Sequence, residues 1–215
     1  MAEATAEPRR GRPPRRGRRP GPAVGRDLIL AAANTEFGER GYQGTTIRSI
    51  ASRAGVDTKL VHYYFGTKAE LFTAAIAETF RAGGFPDMLT RLPARDSGES
   101  PGTQYVAAIL SALEESELGP AFIGLVRNLG THEESRQIFL RFVTQELMHT
   151  VAPRLEGARA ESRLAIAGSQ LLGVLLARYV LKIPPIAGLT RTEVARAIGP
   201  SVDRYIFGDL GWDAT

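Results

Sequence analysis

The chain has 215 residues, 43% of them hydrophobic, enough for one ordinary domain or two small ones around a buried core. It contains no cysteine, which excludes a disulfide framework and thiolate zinc sites. The formal charge of +4 is uneven: residues 1–23 carry seven arginines against Glu3 and Glu7, a local +5, and the remainder sums to −1. A near-neutral body behind a basic arm points to a polyanionic partner.

The arm, residues 1–23, is rich in Pro, Gly and Arg, and its composition predicts disorder in isolation. Arg10-Gly11-Arg12-Pro13 resembles the core of an AT-hook, and Arg16-Gly17-Arg18-Arg19-Pro20 is a looser copy. Arginines such as Arg10 and Arg12, splayed around a glycine, suit a narrow A·T minor groove. A solvated basic tail would give only sequence-independent attraction, and both readings stand. No apolar core of a secretion signal is present in this stretch. A first helix is predicted from about Gly25 to Arg40, with Ile29, Leu30, Ala33 and Phe37 as its buried stripe and Gly41 as its end.

Thr45 to Leu71 reads as two short helices joined by a tight turn, then the start of another. Ile47, Ile50, Ala51 and Ala54 fall on one helical face; Thr45 can cap its start, and Gly55 can end it in a left-handed conformation. Asp57 is an N-cap for a helix from about Thr58 to Tyr64, whose Leu60, Val61 and Tyr64 face inward. Ala51, Gly55 and Val61 have the spacing of a helix-turn-helix: a small residue at the helix contact, a glycine in the turn, an aliphatic plug. The other side of that helix carries Thr58, Lys59, His62 and Tyr63, a set that can contact bases in a DNA groove. Thr67 and Glu70 form a capping box, and Lys68 beside it can reach a phosphate at a helix N-terminus.

Tyr42 to Phe72 is similar to the DNA-binding signature of the tetracycline-repressor-type (TetR) transcriptional regulators. The likeness lies in Gly41-Tyr42, Thr45-Thr46, Ile50-Ala51, Ala54-Gly55-Val56, Tyr63-Tyr64-Phe65, Lys68 and Leu71, and covers about 55 residues with the preceding helix. His62 departs from it, since the family more often has tyrosine there. The resemblance implies that Thr58, Lys59, His62 and Tyr63 enter the major groove, while Thr45, Thr46, Lys68 and Tyr42 hold the backbone.

The rest of the chain continues in helices. Gly83-Gly84 and Pro86 end the fourth, and residues 90–102 form a polar break. Ser100-Pro101 opens a helix to about Glu117, and Gly119-Pro120 another to about Leu129. Thr131 and Glu134 spell a second capping box, for a helix to about Thr150 with Ile138, Phe142, Gln145 and His149 inward. An apolar helix follows from about Ala160 to Lys182, stopped by Pro184-Pro185. A third box, Thr190 with Glu193, opens a last helix bearing Val194, Ile198, Val202 and Ile206. The expected fold is all-α: a basic arm at 1–23, a helix-turn-helix domain at 24–72, and a larger helical domain at 73–215.

Two expectations attach to that larger domain. The resemblance implies a small-molecule pocket, with Phe122, Phe139, Phe142, Gln145 and His149 as candidate lining. A helix apolar nearly all round needs cover on more than one side, so the last two long helices are the expected dimer surface, through Leu171, Leu175, Tyr179, Val194, Ile198 and Val202. A dimer would set two reading helices about 34–36 Å apart, matching an inverted-repeat operator. Glu146 and His149 have half the spacing of a helix-borne metal site without the other half, so no metal or cofactor is expected. No catalytic or nucleotide-binding motif is present, which argues against an enzyme. The run Leu164–Leu181 is broken by Ser169, Gln170 and Arg178 and falls short of the ~20 clean apolar residues of a membrane span, so a soluble cytoplasmic protein is expected. The expected function is a ligand-responsive repressor. The alternatives are a constitutive DNA-organising protein and a small-molecule binder with a vestigial reader.

Overall fold

A computed structural model describes residues 22–90, 98–155 and 159–212, and the described residues contain helices and no strand. Helix α1 spans Pro22–Gly44, but Gly41 inside it has φ 66 and ψ 176, so the regular part ends where the glycine predicts. Ile29, Ala33 and Phe37 are fully buried, and the Phe37 ring packs on those of Tyr42 and Phe72. Helix α1 thereby supports α2 (Ile47–Ala54), α3 (Thr58–Phe65) and α4 (Lys68–Ala82).

Thr46, one residue later than expected, is the N-cap of α2; its hydroxyl accepts from the Ser49 amide, and the Ser49 hydroxyl accepts from the Thr46 amide. Thr45 is 1% exposed, and its hydroxyl donates to the carbonyls of Glu36 and Gly41. A short polar side chain beside a broken helix end finds carbonyls before it finds solvent. Gly55, at φ 66, closes α2, and Asp57 caps α3 by accepting from the Lys59 amide.

Past Gly84, at φ 70, the chain forms a short helix α5 (Phe85–Thr90) where only a helix end was expected. Helix α6 (Pro101–Glu115) lies against α11 (Arg191–Phe207) in the most extensive helix contact of the fold. The two backbones touch at glycines: a Cβ on Gly102 would lie 2.3 Å from the Gly199 carbonyl, and one on Gly199 2.5 Å from the Thr103 nitrogen. Helices α7 (Gly119–Arg127), α8 (Glu133–Phe142), α9 (Ala160–Leu175) and α10 (Pro184–Ala187) complete the larger domain.

Helices α8 and α9 each run on into a π-helical turn, Val143–Met148 and Leu176–Val180. The inserted residue advances the face by roughly one hundred degrees. Ile138 and Phe142 are buried as their spacing predicts, but Glu146 then takes the inward position, and Gln145 and His149 are exposed. The expected Thr131–Glu134 box is absent: His132 is the N-cap, without a side-chain cap bond, and Glu134 accepts instead from Tyr42.

The continuous helix Ala160–Val180 is long and apolar enough, by length and composition, to cross a bilayer, contrary to the estimate from the interrupted run. In the fold its Leu164, Ala167, Leu171, Val174 and Leu175 are buried against the rest of the chain. A core helix and a membrane helix share that composition.

Candidate nucleic-acid interface and effector cavity

Helix α3 is only eight residues long and depends on its neighbours for stability. Val61 and Phe65 anchor it in the core, and Leu60 and Tyr64 pack partly against it. That leaves Lys59, His62 and Tyr63 on the outer side, with Thr58 half-buried at its start. Tyr63 is 80% exposed, and its ring meets that of Tyr64 edge-on, 5.1 Å between centres. The His62 ring holds the Gly66 carbonyl through Nδ1 at 2.7 Å. With that N–H committed, Nε2 is the ring atom left to face a partner.

Thr46 is exposed beside α3, at the head of α2, and so is Arg48, which the sequence reading passed over. No hydrogen bond or ion pair to Arg48 exists among the described residues, whereas Arg53 on the same helix is held by Glu36 and Glu39. An arginine has no helical-face signature that separates a free guanidinium from a paired one, so only the fold distinguishes them.

Three of the expected backbone-holding residues are occupied inside the protein. Thr45 is sealed as described above. The Lys68 ammonium donates to the carbonyls of Tyr42 at 3.0 Å and Thr45 at 3.2 Å and lies 4.2 Å from the centre of the Tyr42 ring. Those carbonyls sit at the broken end of α1, where their helical partners are missing, and a nearby ammonium satisfies them better than water would. Tyr42 itself is 7% exposed and donates its hydroxyl to Glu134 on α8; burial, reinforced by that glutamate, pushes its phenol up from the usual value. Arg10 and Arg12 lie outside the described residues.

The larger domain contains a partly open cavity of about 330 Å³, within the size range of small-molecule sites. Phe80, Phe85, Tyr105, Phe122, Phe139 and Phe142 give it an aromatic wall, closed by Leu164, Leu171 and Leu175 from α9. Thus Phe122, Phe139 and Phe142 converge on a cavity, while Gln145 and His149 are turned outside it by the π turn. The same geometry removes His149 from Glu146, and among the described residues no group of three His, Asp or Glu could hold a metal.

Leu171 and Leu175 therefore face the cavity, and Val194 and Val202 are buried on the inner side of α11. None of the four is on an outer surface: apolar residues repeated every four positions mark the face turned to the protein's own core. Ile198 and Tyr179 are half-buried, and the Tyr179 hydroxyl donates to Glu114 at 2.7 Å.

Helix α8 connects the cavity with Tyr42 and α4. Phe139 and Phe142 line the cavity, Glu134 near its start holds Tyr42, and Arg141 stands 3.8 Å from Glu70, the capping residue of α4. Arg81 of α4 donates to Glu146, in the π turn, at 2.8 Å.

The model described as bacterial regulatory proteins, tetR family, matches residues 29–75, and that of the tetracyclin repressor-like C-terminal domain matches residues 99–206. A TetR-family regulator from Streptomyces coelicolor A3 is 33% identical, with 88% of this chain and 98% of that one covered at a TM-score of 0.57. The transcriptional repressor NicS of Pseudomonas putida is 28% identical over 63% of this chain and 64% of its own length. The transcriptional regulator BetI of Brucella anthropi is 28% identical over 73% of this chain and 81% of its own. With both matched regions falling on the domains described above, the chain belongs to the tetR family of bacterial regulatory proteins.

Proposed function

We propose that this regulator is a homodimeric repressor that reads an inverted-repeat operator with α3 and releases it when a small molecule enters the cavity. The reader falls to residues 24–72 and the effector and dimer functions to residues 73–215, at work in the cytoplasm. The observation that carries the reading is the bare outer face of α3, with Lys59, His62 and an 80%-exposed Tyr63 on a well-capped helix. Thr46 and Arg48 extend that face toward the DNA backbone. The dimer surface is assigned to the outward sides of α9 and α11, including Ile198, since their inward apolar residues are used within the chain.

A ligand shifts such an equilibrium only by binding one arrangement better than the other. Helix α8 supplies the means: a guest pressing on Phe139 and Phe142 moves the helix that holds Tyr42 and Glu70. The apolar cavity and the relatives' names as transcriptional repressor and regulator favour this reading over a constitutive DNA-organising protein.

Selection of bound sequences from a random DNA pool tests it. Enrichment of two inverted half-sites, centred one or two helical turns apart, is expected. Enrichment of a single half-site, or uniform binding without sequence preference, overturns the dimeric-reader reading.

A further inference from the structure

The cavity wall is chemically one-sided. Among the described residues no charged side chain lines it, and only Thr79, Tyr105, Ser116 and Ser169 bring a polar side chain. Three of those four are already engaged with backbone. Thr79 donates to the Ala75 carbonyl at 3.1 Å and Ser169 to the Ile166 carbonyl at 2.7 Å, and Ser116 accepts from the Gly119 amide at 3.1 Å.

Tyr105 differs from them. It is 3% exposed, and its ring is held edge-on to Phe85, 6.1 Å between centres. Among the described residues no hydrogen bond reaches its hydroxyl, and the side chain is part of the cavity wall. A buried phenol without a partner costs roughly 1–3 kcal/mol, and a wall residue can retain such a group where a ligand completes it. Burial also pushes the phenol above its usual value, which keeps it a neutral donor.

Resting on the reading of this cavity as the effector site, we propose that the effector is an uncharged, mainly apolar molecule with one hydrogen-bond acceptor, a carbonyl or ether oxygen, that accepts a hydrogen bond from the Tyr105 hydroxyl. A carboxylate or a quaternary ammonium would enter with no countercharge on the wall, and burying an isolated charge is far costlier than burying a neutral polar group. Thr79 and Ser169 cannot substitute as donors without abandoning their carbonyls. Ser116 accepts from the Gly119 amide and keeps its own O–H, so it is the competing donor; Tyr105, the wall hydroxyl with no hydrogen bond among the described residues, is assigned as the specificity-determining residue of the site.

Equilibrium dialysis of the full chain against naphthalene, 2-acetonaphthone and 2-naphthoate tests this, since the three share a ring body and differ in acceptor and charge. The wild type is expected to hold the ketone best and the carboxylate least. Tyr105→Phe removes one oxygen and no ring; it should weaken ketone binding about three- to tenfold, the worth of one neutral hydrogen bond, and leave naphthalene within twofold. Equal loss for ketone and naphthalene, unchanged ketone binding, or preference for the carboxylate overturns the assignment to Tyr105 while leaving the cavity as a binding site. Binding of none of the three to the wild type overturns the effector-site reading as well.

Discussion

Replacing Thr45 with valine separates the two roles this residue can have. Valine keeps the shape of threonine and exchanges a hydroxyl for a methyl at a site 1% exposed. The loss is the bond shared between the Glu36 and Gly41 carbonyls, both at 2.8 Å. A neutral bond of this kind is worth about 0.5–1.5 kcal/mol net, and a carbonyl left short of a partner in the core adds to it, so roughly 1–2 kcal/mol is expected. For a chain of this size that is about 2–8 °C of Tm, read by calorimetry at matched protomer concentration. Operator affinity, measured well below the transition, should stay within twofold. If affinity falls tenfold while Tm is unmoved, Thr45 touches DNA and the assignment of its hydroxyl to the core is refuted.

Lys59→Ala has the opposite signature: Tm holds, and operator binding weakens by about 1–3 kcal/mol with relaxed specificity at one base position if the ammonium reads a base. An equal loss on all sequences, with a salt slope lower by about one, would assign it to phosphate instead. Tyr42→Phe and Glu134→Ala should be non-additive in a double-mutant cycle on stability, with a coupling of at least about 0.5 kcal/mol; additive effects would remove this bond from the ties between α8 and the N-terminal helices. Glu146 is buried with one carboxylate oxygen unpartnered, and burial raises its carboxyl above the ordinary 4.5 despite Arg81. A raised acid binds its proton more tightly folded than unfolded, so its stabilising contribution is full below the unfolded value and lost as pH rises through the folded one. Thermal scans between pH 4 and 7 should therefore show Glu146→Gln gaining on the wild type as pH rises; a constant difference would contradict the shift.

What could be read beforehand depended on how local its cause was. The Thr67–Glu70 and Thr190–Glu193 boxes and the Asp57 cap close within a few residues, so composition announces them and the structure contains them. Thr131 and Glu134 have the same pattern, but Tyr42, 92 positions away, captures the glutamate, and nothing near residue 131 signals that. The internal partners of Lys68 are hidden from the sequence for the same reason: they are carbonyls freed by a helix break 23 and 26 residues earlier. A π turn has no compositional mark, so the inward phase was followed correctly to Phe142 and lost at Gln145. Of the candidate dimer residues, Leu171, Leu175, Val194 and Val202 turn inward, because periodicity finds an apolar face without saying which neighbour covers it. The aromatic wall at Phe122, Phe139 and Phe142 was accessible because large rings gather wherever the larger domain has its centre.

The glycine-to-glycine seam between α6 and α11 has a mechanical corollary. Two rods in backbone contact cannot be pushed closer, and prising them apart would break the widest packed seam in the molecule, so this pair behaves as a stiff back plate. Under the proposed function, swelling caused by a guest would be taken up elsewhere in the cavity wall, α8 with its ties to Tyr42 and Glu70 included. Replacing Gly199 with alanine would shim the plate open and, under the proposed function, absorb part of that movement.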